Sequence, residues 1–176
     1  MSDTTYDFGD GPIPAHQHPN GGGWVADTAF VAQTAFVSEK ALVYGEARLN
    51  DKAQVCDKAR IYDKALVEGE AWVGGEAVVS GRARVYDKAR VCDKARVSIM
   101  AWVFGEAWVG GEAVVSSEAQ VYGKSRVYDK ALVNEEARVY GQAQVYGESM
   151  VYGEARVYGD ARVCGKWVYG QAWVCD

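Results

Sequence analysis

From Gly23 to Lys166 the chain repeats six residues in one unbroken frame, Ala-x-Val-x-(Gly/Asp)-x. The alanine column starts at Ala29 and recurs every six residues through Ala161, with only Ser125 and Ser149 departing. The valine column runs from Val25 to Val163, with only Leu49 and Ile61 departing. A short fixed period constrains the fold strongly. Each repeat is one unit that can bury its apolar side only against copies of itself, so the expected architecture is a stacked β-solenoid.

The hexad Ala71-Trp72-Val73-Gly74-Gly75-Glu76 shows how the unit works. Ala71 and Val73 are two apart and point to one side of an extended segment, while Trp72 points to the other. Ala and Val therefore line an interior. The fifth position must turn the chain. It is Gly at Gly45, Gly69, Gly75, Gly105, Gly141 and Gly153, and Asp at Asp51, Asp57, Asp63, Asp87 and Asp129. These residues accept positive φ with Gly most at ease, so each hexad is a strand and a corner. One hexad places Ile99 at the corner, where a β-branched residue is costly, and a local distortion is expected there.

The sixth position sets the size of a coil. Every eighteenth residue from Lys58 reads Glu76, Lys94, Glu112, Lys130, Glu148, Lys166, alternating in sign at each step. Lys52, Glu70, Lys88, Glu106 and Lys124 do the same. Opposite charges stacked on neighbouring strands are favourable, so three hexads per coil are expected. The third column (Glu46, Lys64, Arg82, then Glu118, Glu136, Glu154) does not alternate. The segment from Gly69 to Ser80 recurs identically from Gly105 to Ser116, a shift of two such coils. The fold class is all-β, a single-domain triangular parallel β-helix with about 18 residues per coil and a length of roughly 40 Å.

This pattern resembles the hexapeptide-repeat superfamily, whose fold is the left-handed parallel β-helix; the left hand is implied only by that resemblance. The position after Val is often Tyr, as at Tyr44, Tyr62, Tyr86, Tyr122, Tyr140 and Tyr158. In this the chain looks more like the low-diversity hexapeptide-repeat proteins of phages and enterobacteria than like the acyltransferases. Enzymes of the superfamily generally use a His base and a projecting loop. Here the only histidines are His16 and His18, outside the repeat. An acyl-CoA-dependent transferase with an intersubunit site using one of them is the alternative to a non-catalytic structural or binding solenoid.

Composition narrows the partners. The net charge of −5 argues against a nucleic-acid backbone. No apolar run approaches membrane-spanning length. The N-terminus carries no basic and apolar signal segment, so a cytoplasmic or virion-associated protein is expected. The four cysteines read as reduced thiols, because Cys56 and Cys92 share a column but lie two coils apart, about 10 Å, beyond disulfide reach. His16-x-His18 lacks a third ligand and reads as a solvated turn before Pro19, not a metal site. No cofactor is expected.

Three segments follow: a capping segment over 1–22, the repeat over 23–166 and a frame-shifted rung over 167–176. The cap holds all three prolines and is expected to enter the first coil by an irregular path. Trp24, Phe30 and Phe36 put one large aromatic on each face of that coil, and such groups ask for cover. At the other end the frame slips after Lys166, and Trp167, Trp173 and Val174 form an apolar rung. These six residues are the candidate assembly surface of a homo-oligomer or filament. Trp72, Arg90, Trp108 and Arg126 fall on successive rungs and are the candidate binding strip for a carbohydrate or protein, with cation–π stacking expected along it and with Gly74 and Gly110, on the same side of the strand as the two tryptophans, leaving room for the indoles.

Overall fold

The computed structural model describes residues 4–175. Those residues form strands, turns and bends and no helix. The repeat builds three parallel sheets, one per face of a prism. The first face runs from Trp24–Ala26 to Trp167–Val168, the second from Phe30–Val31 to Trp173–Val174, and the third from Phe36–Val37 to Arg162–Cys164. Each step along a face joins residues eighteen apart, as in Leu66↔Arg84, Trp72↔Arg90 and Val78↔Arg96. About eight coils stack in this way.

The interior follows from the period-two alternation of each short strand. The Ala and Val columns are shielded from solvent, and Leu49 and Ile61 fit into the same column. Ser125 and Ser149 replace alanine without leaving a polar atom unpaired. The Ser125 hydroxyl donates to the Tyr122 and Val139 carbonyls, and Ser149 to those of Tyr146 and Val163.

The corners carry a rule of their own. Asp51, Asp57, Asp63, Asp87, Asp93 and Asp129 all have positive φ. The carboxylate of each accepts the backbone N–H of the glycine one coil on, as Asp57 does from Gly75 at 2.9 Å and Asp93 from Gly111 at 2.9 Å. Gly45, Gly69, Gly75 and Gly111 in turn lie beneath Asp63, Asp87, Asp93 and Asp129. A Cβ added to Gly75 would meet the Asp93 nitrogen at 2.8 Å, so glycine is required there for space as well as for φ. Neighbouring coils come closer at these corners. The backbone N–H groups of Glu46, Glu76 and Glu112 donate to the Asp63, Asp93 and Asp129 backbone carbonyls at 2.6 Å. Lys88 and Lys94 donate to Gly105 and Gly111 at 2.9 Å. Along the column from Asp57 to Gly147 the corners therefore alternate Asp and Gly with a two-coil interval, which is also the interval of the identical segments at Gly69 and Gly105; the column from Gly105 to Gly159 is glycine at every step and does not alternate.

Ile99 sits at φ 65 among the other corners. The expected distortion is absent. The Ser98 and Met100 N–H groups donate to Val115 and Ser117 at 3.0 and 2.9 Å, and the Ile99 carbonyl accepts from the Arg82 N–H at 2.5 Å, close to the 2.6 Å of the aspartate corners, so the ladder continues through the site. The strain is local to one residue, whose side chain is 52% exposed.

The N-terminal segment is more regular than expected. Strand β1 (Thr5–Asp7) pairs antiparallel with β2 (Pro12–Gln17), and β2 pairs antiparallel with β3 (Trp24–Ala26), the first strand of the first face. Both strand prolines lie in the half of β2 that β3 does not reach, since only Ala15–Gln17 pair with it. The loop after β2 covers the third face: Gly23 donates to Val37, and Val37 to Asn20. The far end is different. The register drops to seventeen at Met150↔Trp167 and Arg156↔Trp173. The Lys166 carbonyl accepts from Met150 where an alanine-column carbonyl normally would, so the missing residue is absorbed in one corner.

Candidate functional site

The third face carries the candidate strip. Backbone pairing sets Trp72 beside Arg90, Arg90 beside Trp108, and Trp108 beside Arg126. The four residues thus occupy four consecutive rungs, about 4.8 Å apart. Two further coils on, Gln144 and Arg162 continue the row.

The indoles do not stack on these guanidinium groups as expected. They fold sideways over glycine. A Cβ added to Gly74 would lie 2.4 Å from Trp72 Cζ2, and one on Gly110 would lie 2.7 Å from Trp108 Cζ2. Cation–π contacts occur on the second face instead, with Arg84 5.3 Å from the Trp102 ring and Arg156 5.1 Å from the Trp173 ring. The residue two after each tryptophan decides the outcome. Gly74 and Gly110 open a side space, whereas Phe104 and Cys175 close it and leave the indole facing the neighbouring rung.

The folded indoles shield a corner column. Cys56 and Cys92 flank Gly74 along it, Cys92 buried and Cys56 half-buried. Burial, then the adjacent Asp93 carboxylate that accepts from the thiol at 3.4 Å, pushes Cys92 up to about 11. Burial also raises Cys56. Both stay protonated near neutral pH and are poor nucleophiles. All four cysteines are free thiols.

Three open depressions run end to end along the face. One of about 450 Å³ is lined by Gln54, Glu70, Trp72, Lys88, Arg90 and Trp108. The next, about 660 Å³, shares Lys88, Arg90 and Trp108 and adds Glu106, Lys124 and Arg126. The third, about 350 Å³, shares Lys124 and Arg126 and reaches Gln142, Gln144, Asp160 and Arg162. Together they form one furrow. Lys124 lies 4.0 Å from Glu106. Among the described residues no carboxylate reaches ion-pair distance of Lys88, Arg90, Arg126 or Arg162.

The corner tyrosines form ladders. Tyr86, Phe104, Tyr122, Tyr140 and Tyr158 stack at 4.8 to 5.3 Å, and Tyr128 stacks on Tyr146 at 5.0 Å. Spacing and near-parallel rings are those of packing between rungs.

At the N-terminal end His18 is buried, not solvated, with Nε2 3.1 Å from the Ala35 carbonyl. Desolvation lowers its pKa, partly offset by that hydrogen bond, and the neighbouring His16 lowers it further. His16 stays on the surface in β2, its Nδ1 2.9 Å from Asp27 Oδ1. Among the described residues no three His, Cys, Asp or Glu side chains gather as a metal site.

The candidate assembly residues fall at the two ends. Trp24 is half-buried under Tyr6, the rings 4.6 Å apart, and Phe36 is half-buried near Gly21. Phe30 remains exposed on the second face. Trp167 and Trp173 are 66% and 65% exposed, with Val174 half-buried between the last rung and the core. Among the described residues no helix is long and apolar enough to cross a membrane. No family model matches the chain, and no curated protein matches it.

Proposed function

We propose that the chain is a structural solenoid of the left-handed hexapeptide-repeat kind that pairs with a second copy through its C-terminal rung. One observation carries this reading. Trp167, Tyr169 and Trp173 are all exposed on the last described rung, beside a sheet edge that carries no further strand among the described residues. An apolar, flat edge of this sort invites another strand. A second copy is the occupant because the edge is self-complementary: a twofold axis would set Trp173–Val174 antiparallel to its own copy and close the contact. Head-to-tail stacking fits less well. On the first face β1 and β2 stand two strands beyond the first coil, so the N-terminal end is not a flat counterpart.

Light scattering on the full chain tests this. A dimer at tens of micromolar is expected, and Trp173→Glu should return it to monomer with its β-rich circular dichroism intact. A full chain that stays monomeric, or a variant that stays dimeric, overturns the proposal.

A second reading, acyl transfer, is favoured by the His16–Asp27 pair. A carboxylate on Nδ1 orients the ring and leaves Nε2 as a candidate base. Calorimetric titration with acetyl-CoA separates the two. Binding that disappears in His16→Ala would support acyl transfer; no heat would leave the structural reading alone.

A further inference from the structure

We infer that the third-face furrow is a binding site for a linear acidic polysaccharide carrying one anionic group per disaccharide. The inference is independent of the end contact. It starts from the row of guanidinium groups. Arg90, Arg126 and Arg162 are each separated by two rungs, with Trp108 and Gln144 between them. Two rungs are about 10 Å, so the three charges form a straight row about 20 Å long. None of the three meets a protein carboxylate at ion-pair distance, among the described residues. An unpaired guanidinium fork in a furrow is suited to bidentate capture of a carboxylate or sulfate.

The intervening rungs suit the neutral sugar of such a repeat. Trp108 lies over Gly110 with the Tyr128 ring 5.8 Å away, and it remains half-exposed where it lines the furrow. A flat apolar ring of this kind accepts the C–H face of a pyranose. Gln54 offers an amide donor and acceptor for hydroxyls, and Gln144, whose Oε1 accepts from the Tyr128 hydroxyl at 3.4 Å, offers its amide N–H groups. Lys88 and Lys124 widen the cationic rungs, Lys124 with Glu106 beside it.

Other polymers fit less well. Duplex DNA places a phosphate every 3.4 Å along each strand, a far denser charge than the two-rung interval. The second face is a built-in comparison. Its Arg84 and Arg156 are engaged by Trp102 and Trp173, and Glu118, Glu136 and Glu154 occupy its corner column. The two faces share residue types, but the second face's remaining arginines, Arg48 and Arg138, lie five rungs apart, so of the two only the third carries three open guanidinium groups at a two-rung interval.

The test is calorimetry of the full chain with hyaluronate oligosaccharides, which alternate an acidic and a neutral sugar. A decasaccharide should bind, with affinity falling as salt rises. A tetrasaccharide, too short to span three arginines, should bind at least about tenfold more weakly, as should the decasaccharide to Arg126→Ala. Arg138→Ala on the second face should leave binding unchanged. Absence of decasaccharide binding overturns the inference, and so does equal binding by Arg126→Ala. A single-stranded oligonucleotide of matched length that binds equally well also overturns it, because the site would then be a general polyanion surface.

Discussion

At its N-terminal end the solenoid turns its first-face sheet into an antiparallel hairpin, and Phe8, Ala15 and Ala26 are buried beneath it. At its C-terminal end the same sheet stops on Trp167–Val168, with Trp167 and Tyr169 facing outward. The difference teaches how a parallel ladder can be ended. A parallel rung always offers the hydrogen bonds that the next coil would take. Reversing strand direction breaks that offer, and β1 is then a three-residue edge. Its last residue is spent on the turn, since Asp7 Oδ1 accepts from Gly9 and Gly11. Short edges closed by charge resist further pairing. The second face has no such ending at either extremity, where Phe30–Val31 and Trp173–Val174 are both terminal strands.

The sharpest way to break this comparison is to remove one aromatic from each end. Phe8→Ala should cost about 3 kcal/mol, because a ring packed on Tyr6 and Tyr44 is lost from a buried site. Trp173→Ala should change the stability of the dilute protein by less than about 1 kcal/mol, since an exposed ring contributes little. Chemical denaturation at low concentration reads both. Equal losses would mean that the C-terminal rung is as integral as the hairpin.

A substitution midway between the ends asks whether they respond to the middle. Ile99→Gly should stabilise by about 1 kcal/mol, by relieving a positive φ at an exposed side chain. Hydrogen exchange should show the gain in the central coils and leave the order of the two ends unchanged. Destabilisation would show that the exposed Ile99 side chain packs better than its accessibility implies.

Acid should act on one end only. His18 has a pKa lowered below 6.5, so the folded end holds it neutral while the unfolded chain protonates it. Its contribution to stability is complete above pH 6.5. It is lost as pH falls from 6.5 through the lowered folded value. Amide protection factors around Ala35 and Val37, corrected for the base-catalysed intrinsic rate, should therefore fall between pH 7.5 and 5.5, and His18→Gln should remove that fall. An equal fall in protection at Trp167 would point to a global cause.

The charge columns should matter least. Lys94 lies 3.9 Å from Glu112, and Lys64, in the column without alternation, lies 3.3 Å from Glu46. Both pairs form, and all four side chains are exposed. Lys94→Glu and Lys64→Glu should each cost less than about 0.5 kcal/mol, with the difference vanishing in high salt.

The coil was legible because its determinants are local and periodic. Ala and Val alternate with outward residues, and Gly or Asp marks each turn, so interior, corner and eighteen-residue register could be read directly. The hairpin was not. Its strands are three and six residues long, and Pro12 and Pro14 read as breaks because their pairing depends on where β3 ends. The strip was legible in position, since Trp72, Arg90, Trp108 and Arg126 lie where the register puts them, and in the room that Gly74 and Gly110 leave for the two indoles. The stacking expected on the arginines was wrong, because an indole that folds over the glycine two residues later turns away from the neighbouring rung. Applied to Trp102, followed by Phe104, the same rule would have located the cation–π pair with Arg84. The burial of His18 had no periodic signal, because it arises from a loop crossing the third face.

The ladder also has a mechanical consequence. Each coil is joined to its neighbours by the same few backbone bonds, and no strand bridges more than one interval. Pulled by its two termini, such a rod would not yield all at once. Coils would peel off singly from the unreversed end, each releasing eighteen residues and extending the chain by about 60 Å. The protein would then behave as a ratcheted tether that pays out equal lengths under load, with the antiparallel hairpin as its last grip.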